Sequence, residues 1–80
     1  MTVGIAVKER ILQLCKERDL SINKLSTISG VTQSTVNNII SGRNNSATVA
    51  TIKKLCDGFE ITLGEFFSTP EFDELEQEIV

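Results

Sequence analysis

The side chains best suited to chemistry in this sequence are the amides and hydroxyls of the segment QSTVNNIIS, residues 33–41. Gln33, Ser34, Asn37 and Asn38 share one face if the segment is helical, and none of them carries a charge. A helix that only meets water usually shows Lys and Glu there, because they favour helix and pair at i,i+4. Asn and Gln present an acceptor and a donor in one plane, which allows bidentate pairing with adenine N7 and N6. The pattern favours contact with base edges over plain solvation.

The composition argues against an enzyme, a metal site or a bound cofactor. The sequence has no histidine, which removes the usual general base and the Ser-His and Cys-His nucleophile pairs. It has no glycine-rich phosphate loop, and a zinc site would need more cysteines than Cys15 and Cys56 or added carboxylates. Both cysteines lie in apolar patterns, so we expect two reduced core residues. We expect no catalytic residue, metal or cofactor, and the sequence does not identify a small-molecule ligand.

The charge is divided unevenly along the chain. Residues 1–57 hold all eight Lys and Arg residues against four acidic residues (+4), and residues 58–80 hold seven acidic residues and no basic one (−7), which gives the net charge of −3. A mildly basic body is compatible with a nucleic-acid partner despite the negative total. We expect one folded domain over residues 1–67 and an acidic amphipathic tail over residues 68–80.

Targeting and membrane signals are weak. The apolar runs are short and interrupted, which predicts no membrane-spanning segment. The N-terminus lacks the basic patch and long apolar run of a signal peptide. We expect a cytoplasmic protein with no membrane partner.

The first predicted helix runs from about Val3 to Asp19. Its inward stripe follows helical spacing and consists of Val7, Ile11, Leu14 and Cys15. Its basic residues are expected to share the remaining surface with Glu9 and Glu17, and they are Lys8, Arg10, Lys16 and Arg18.

Capping residues mark the starts of four more helices, and glycines mark their ends. Hydroxyl side chains cap helix starts well, and the predicted caps are Ser21, Thr32, Thr48 and Thr62, the last in a capping box with Glu65. Three glycines follow periodic segments and are expected to end helices: Gly30, Gly42 and Gly58. No stretch alternates like a strand. The sequence therefore predicts an all-α fold of five short helices.

The acidic tail carries a further helical pattern. Thr69 and Pro70 have the types of a cap and a first-turn proline. The apolar residues Phe72, Leu75 and Ile79 recur at i, i+3 and i+7 among acidic residues. This pattern favours a short acidic sixth helix, with three arrangements open: packing back on the domain, pairing with a second subunit, or fraying. These three residues are one candidate dimer surface, and Phe66 with Phe67 is another unless they pack in the core.

The second and third predicted helices are joined through Ser29, Gly30 and Val31. Glycine supplies a left-handed backbone position at little steric cost, and Ser26 is small enough for close helix approach. Apolar residues of the two helices are expected to meet in the core, namely Leu25, Val36 and Ile39. Two helices joined by a tight glycine turn form a helix-turn-helix, whose second helix lies in the major groove of DNA.

The stretch SINKLSTISGVTQSTVNNIISG, residues 21–42, resembles the helix-turn-helix of the phage lambda repressor/Cro family, the bacterial Xre-type regulators. The matching features are Leu25, a small residue at 26, Gly30-Val31-Thr32, Gln33-Ser34-Thr35, apolar residues at 36 and 39, and Gly42. TIKKLC (51–56) and ITLGEFF (61–67) resemble the fourth and fifth helices of the family. The similarity covers about residues 5–67 and implies a compact five-helix, lambda-repressor-like domain.

The resemblance also implies roles for individual residues. Those expected to contact bases are Gln33, Ser34, Asn38 and, at the edge, Asn37. Those expected to lie at phosphates are Ser21, Asn23, Lys24, Thr35, Arg43, Asn44 and Asn45, with Thr35 alternatively bracing the turn. Phosphate contacts position the protein and base contacts give specificity.

Three features depart from the family pattern. Many relatives have Asn-Pro before the fourth helix where this chain has Ser46-Ala47, and Ile22 stands where a polar residue often opens the second helix. Few basic residues lie near the proposed groove surface, which predicts a shallow dependence of binding on salt. Weak electrostatics favour a homodimer on two half-sites over tight monomeric binding.

The resulting hypothesis is a sequence-specific, duplex-DNA-binding transcriptional regulator that reads the major groove with helix 33–41, most simply as a repressor. Two alternatives keep the fold. One is the antitoxin of a toxin–antitoxin pair, whose acidic tail would contact the partner. The other is a protein-interaction module that no longer binds DNA.

Overall fold

The computed structural model describes residues 2–41 and 47–77, which form six helices and, within those ranges, no strand. The helices are α1 (Val3–Glu17), α2 (Ile22–Ser29), α3 (Gln33–Ile40), α4 (Val49–Phe59), α5 (Leu63–Phe67) and α6 (Pro70–Asp73). The predicted all-α class is confirmed. Helix α3 ends at Ile40, one residue before the predicted end, with Ser41 as its C-cap.

Every predicted cap from the second helix to the fifth forms. The hydroxyl oxygens of Ser21, Thr32 and Thr48 accept the backbone N–H three residues on, at 3.0, 3.2 and 3.1 Å. At α5 the capping box is complete, because Thr62 Oγ1 accepts from Glu65 N at 3.0 Å and Thr62 N donates to Glu65 Oε1 at 2.9 Å. These bonds satisfy amides that have no partner within a helix. Local sequence thus determines where these helices begin.

The helix ends agree less well with the predictions. Gly30 ends α2 in the left-handed region, with φ 74°, as expected. Gly58 does not end α4: the helix continues to Phe59, and Glu60 takes the left-handed C-cap position with φ 61°. Helix α1 ends at Glu17 and not at Asp19, which itself has φ 53°. Gly42 lies outside the described residues.

Gly58 has a packing role in place of the predicted terminating one. A Cβ at this position would lie 3.0 Å from Ser29 Cβ, 3.1 Å from Ser29 Cα and 3.3 Å from Ile28 Cγ1. These distances are shorter than ordinary carbon–carbon contacts of about 3.5–4.0 Å. Gly58 therefore allows α4 to lie directly against the last turn of α2.

The core is formed by one apolar side of each of the first five helices. The predicted stripe of α1 is buried, as are the apolar residues of the helix-turn-helix, which confirms both. Helix α2 packs against α3 and α4, α3 packs against α1, and α5 packs against α4. The core residues are Val7, Ile11, Leu14, Cys15, Leu25, Val31, Val36, Ile39, Ile52, Leu55, Cys56, Phe59 and Phe66. The two cysteines are free thiols, and burial raises their pKa.

Arg10 of α1 and Arg18, the C-cap of α1, join distant parts of the chain, which corrects the prediction that they share the open surface. Arg10 donates from Nε to the carbonyl of Phe66 at 2.7 Å and from Nη2 to the carbonyl of Glu65 at 2.8 Å. Arg18 donates from Nε to the carbonyl of Phe59 at 3.1 Å, and its guanidinium lies 5.8 Å from the centre of the Phe59 ring. Each arginine satisfies carbonyls at the end of a helix and supplies positive charge where the helix dipole is negative.

The sixth helix is shorter than the apolar spacing predicts. Thr69 occupies its N-cap position but makes no side-chain cap hydrogen bond, and the helix ends at Asp73, so Leu75 follows it in non-helical chain. The Phe72 ring packs edge-on against Phe67 with centroids 4.9 Å apart and lies 6.2 Å from Phe66. Residues 70–73 therefore pack back on the body of the protein, against α1. Ile79 lies outside the described residues.

The aromatic packing bears on the candidate dimer surfaces. Phe66 is fully buried, whereas Phe67 and Phe72 are partly buried and pack against the core. This confirms core packing for at least one of the paired phenylalanines.

In the described part of the chain, no helix is long and apolar enough to cross a membrane.

Candidate nucleic-acid interface

Helices α2 and α3 form the predicted helix-turn-helix. Leu25 and Val36 are fully buried between the helices and the rest of the core, and Ile39 is 6% exposed. The left-handed Gly30 reverses the chain, and Thr32 then starts α3. Because the apolar side of α3 packs in the core, the opposite side of the helix faces solvent.

The exposed side of α3 carries the four residues expected to contact bases. Gln33, Ser34, Asn37 and Asn38 are all exposed. At 3.6 residues per turn they span an arc of about 140° around the helix axis. The arrangement provides planar amides and a hydroxyl on one convex surface, which is the donor and acceptor chemistry that the edges of bases require. None of the four side chains titrates, so the surface keeps its charge and donor pattern as pH changes.

Thr35 lies on the flank of this surface and braces the start of the helix. Its hydroxyl lies 2.8 Å from the hydroxyl of Thr32, and its backbone N–H donates to the same oxygen at 3.2 Å. The side chain is half-buried. The resemblance implies either a phosphate contact or a bracing role for Thr35, and these hydrogen bonds agree with the bracing role.

The start of α2 forms the second part of the surface. Ser21, Asn23 and Lys24 are exposed there. The Ser21 hydroxyl accepts from the Lys24 amide and keeps its own proton for a further acceptor. The first amides of a helix and its dipole both favour an anion at this end. Ile22, which stands where a polar residue often lies, is half-buried and packs against the core.

Three predicted phosphate contacts cannot be placed, since Arg43, Asn44 and Asn45 lie outside the described residues. The same applies to Ser46, whereas Ala47 packs partly buried against the core. The described part of the interface therefore consists of the start of α2, the turn and α3.

Several of the described basic residues bond other parts of the protein. Arg10 and Arg18 bond helix-end carbonyls, and Lys53 forms an ion pair with Asp57 within α4. Lys24 is the basic residue at the start of α2. The described part of the candidate interface thus presents more neutral donors and acceptors than positive charge.

Sequence reasoning missed the hydroxyl groups that hold the turn. The sequence pattern gives Ser26 a role only through its small size, but its hydroxyl also donates to the carbonyl of Val31. The pattern predicts no side-chain role for Ser29, whose hydroxyl oxygen accepts from the Val31 N–H at 3.3 Å. The available signal was the placement of two serines just before a glycine turn, because serine readily bonds nearby backbone groups.

Comparison with known proteins agrees with this geometry. Residues 10–71 match the family model of the Cro/C1-type HTH DNA-binding domain. The HTH-type transcriptional regulator PuuR of Escherichia coli K12 is 31% identical over 68 residues, which make up 85% of this chain and 36% of that protein. The HTH-type transcriptional repressor RghR of Bacillus subtilis is 38% identical over 53 residues, which make up 66% of this chain and 39% of that protein.

A solved structure shares the fold over almost the whole chain. The crystal structure of the prophage Lp1 protein 11 matches with a TM-score of 0.82 and 36% identity, covering 94% of this chain and 100% of that one. In contrast, the chain spans 36–39% of the length of the curated relatives it matches. The similarity to those relatives therefore concerns one of their parts.

Proposed function

This chain belongs to the Cro/C1-type helix-turn-helix DNA-binding domain family, and we propose that it binds duplex DNA sequence-specifically by placing α3 in the major groove. The observation that carries this proposal is the exposed, uncharged face of α3. Small neutral side chains let a helix approach base edges without burying an unpaired charge. Each bidentate amide–adenine pair contributes about 1–3 kcal/mol of discrimination against the wrong base.

The proposal divides the interface into two kinds of contact. Gln33, Ser34, Asn37 and Asn38 read bases. The phosphate contacts come from Ser21, Asn23, Lys24, Thr35, Arg43, Asn44 and Asn45. Because the Thr35 hydroxyl already bonds the Thr32 hydroxyl, it contacts a phosphate only through its remaining hydrogen-bonding positions.

We propose that a homodimer forms on DNA and reads two half-sites about 34–36 Å apart, as helix-turn-helix dimers do. The limited positive charge of the described interface supports this, because a single copy gains little from releasing counterions. The predicted slope of log K against log salt is correspondingly shallow for one protomer. Analytical ultracentrifugation of the protein with one and with two half-sites tests the stoichiometry.

The test of base reading is selection of bound sites from random duplex DNA, with the double variant Gln33→Ala/Asn38→Ala beside the wild type. We expect the wild type to enrich a palindrome and the variant to lose it. Gln77→Ala, an exposed glutamine in the non-helical chain after α6, is the matched control and should enrich the same palindrome. Failure of the folded wild type to enrich any sequence, or an unchanged palindrome from the variant, contradicts the proposal.

Two single variants separate the two kinds of contact. Asn38→Ala should relax the preference at one base step, whereas Arg43→Ala should weaken binding to all sequences alike. Titration of the selected site and of a scrambled site by fluorescence anisotropy measures both effects. Equal losses on the two sites for Asn38→Ala would refute the assignment of this residue to a base.

We propose that the biological role is transcriptional regulation in the cytoplasm, at the nucleoid, with repression by occupation of a promoter or operator. The names of the matched relatives, a regulator and a repressor, support this over an antitoxin or an interaction module. Transcription in vitro from a promoter that contains the selected site should fall when the protein is added. Unchanged transcription at saturating protein would contradict the repressor role while leaving DNA binding intact.

A further inference from the structure

We infer that Ser26 and Ser29 are positioning residues for α3, which rests on the proposed function that α3 reads bases. Both serines belong to the last two turns of α2, and both are half-buried. Neither is among the residues that we assign to bases or phosphates. Their hydroxyls instead bond the backbone of Val31, the residue between the turn and the cap of α3.

The two serines satisfy both backbone polar groups of Val31. The Ser26 hydroxyl donates to the Val31 carbonyl, and the Val31 N–H donates to Ser29 Oγ at 3.3 Å. The Gly30 N–H closes the arrangement by donating to the Ser26 carbonyl at 3.1 Å. Val31 is 6% exposed, so water cannot easily replace these partners. The residue that precedes the N-cap of α3 is thereby held by side chains of α2.

Ser29 also lies close to α4. A Cβ at Gly58 would lie 3.0 Å from Ser29 Cβ, so only glycine allows α4 to lie this close to Ser29. Two hydroxyls thus connect the residue before the cap of α3 to α2, and one of the two serines packs beside Gly58 of α4.

Small errors at the start of α3 grow along the helix. Asn38 lies six residues beyond Thr32, or about 9 Å at 1.5 Å per residue. A tilt of 10° at Thr32 would displace it by about 1.5 Å, whereas functional contacts need placement within about 0.5 Å. Phosphate contacts by flexible side chains tolerate such a shift better than bidentate base contacts do. Loss of the serine hydroxyls should therefore reduce sequence selectivity and leave general DNA binding in place.

The test compares the double variant Ser26→Ala/Ser29→Ala with the wild type on the selected site and on random DNA. Thermal melting followed by circular dichroism first establishes a temperature at which both proteins are folded. We expect the ratio of the two affinities to fall at least about five-fold, as for one lost bidentate contact, with binding to random DNA unchanged. Ser68→Ala, the same substitution at an exposed position after α5, should keep the wild-type ratio.

A second measurement does not depend on DNA. Residual dipolar couplings of the backbone amides report the angle between α2 and α3, which we expect to change in the double variant and not in Ser68→Ala. An unchanged angle together with an unchanged affinity ratio would overturn the inference. If the wild type selects no sequence, the proposed function fails, and the couplings alone then decide whether the serines position α3. If the double variant does not fold, Ser29→Ala alone takes its place.

Discussion

Substitution of Gly58 gives the most direct test of how the helix-turn-helix packs against α4. In an exposed helix, replacing glycine by alanine stabilises a protein, because alanine restricts the unfolded chain and favours helix. Gly58 lies inside α4, so helix propensity alone predicts that Gly58→Ala raises the free energy of unfolding by about 1 kcal/mol. The packing against α2 predicts the opposite sign.

The size of the steric effect follows from the contacts. The added methyl group would lie 3.0 and 3.1 Å from Ser29 Cβ and Cα, so α4 must move away from α2 by about half an ångström to restore ordinary contact distances. The nearest atoms belong to backbone and Cβ positions that cannot rotate away. Overpacking of this kind costs about 1–3 kcal/mol. After subtraction of the propensity gain, we expect a net loss of up to about 2 kcal/mol.

Two other glycines provide controls for thermal or urea unfolding. Gly64→Ala should not destabilise, because a Cβ there meets its nearest atom, Thr62 Oγ1, at an ordinary 3.8 Å. Gly30→Ala should lose about 1–2 kcal/mol through its φ of 74°, although a Cβ there meets nothing within 4 Å. For a domain of this size, 1 kcal/mol corresponds to about 4–8 °C in Tm. A Gly58→Ala protein as stable as Gly64→Ala would refute the close approach of α4 and α2.

Two further predictions concern α5. Arg10→Gln removes the charged donors from two carbonyls at the end of α5 and should lower the free energy of unfolding, measured by urea denaturation, by about 1.5–3 kcal/mol. The control Lys16→Gln, at an exposed position, should change this free energy by less than about 0.5 kcal/mol. Equal effects of the two substitutions would contradict the capping role of Arg10. Hydrogen bonds from the backbone and side chain of the α5 cap lower the pKa of Glu65 below its ordinary value of 4.5. The carboxylate therefore stabilises the folded protein fully above that value and loses this effect as the pH falls through the lowered folded-state pKa. Glu65→Gln should flatten this part of the plot of urea midpoint against pH, and an unchanged slope would show that other carboxylates dominate.

Much of the fold was predictable because its signals are local in sequence. The caps at Ser21, Thr32, Thr48 and Thr62 bond amides three residues away, so residue types alone identify them. The apolar spacing of each helix likewise determines which side is buried. The exposed amides of α3 follow from the same spacing, because whatever does not face the core must face outward. The assignment of those amides to DNA bases remains a proposal.

Several misjudged features depend on packing contacts that the local pattern does not show. The sequence predicts a helix end at Gly58, but the small size of this residue instead allows close packing against Ser29, 29 positions away. The sixth helix reads as a longer amphipathic segment, but it is a single turn whose Phe72 joins the rings of Phe66 and Phe67. Local patterns cannot show which neighbour a side chain meets after the chain has folded.

The sequence by itself determines the helix starts, the buried stripes, the glycine turn and the uncharged outer face of α3. Tertiary structure alone decides what holds that face in place. Arg10 bonds carbonyls 55 and 56 residues away, and Arg18 bonds one 41 residues away. The physical reason is that capping and periodicity act within one or two turns of a helix, whereas the angle between helices is set by contacts that exist only once the helices have packed.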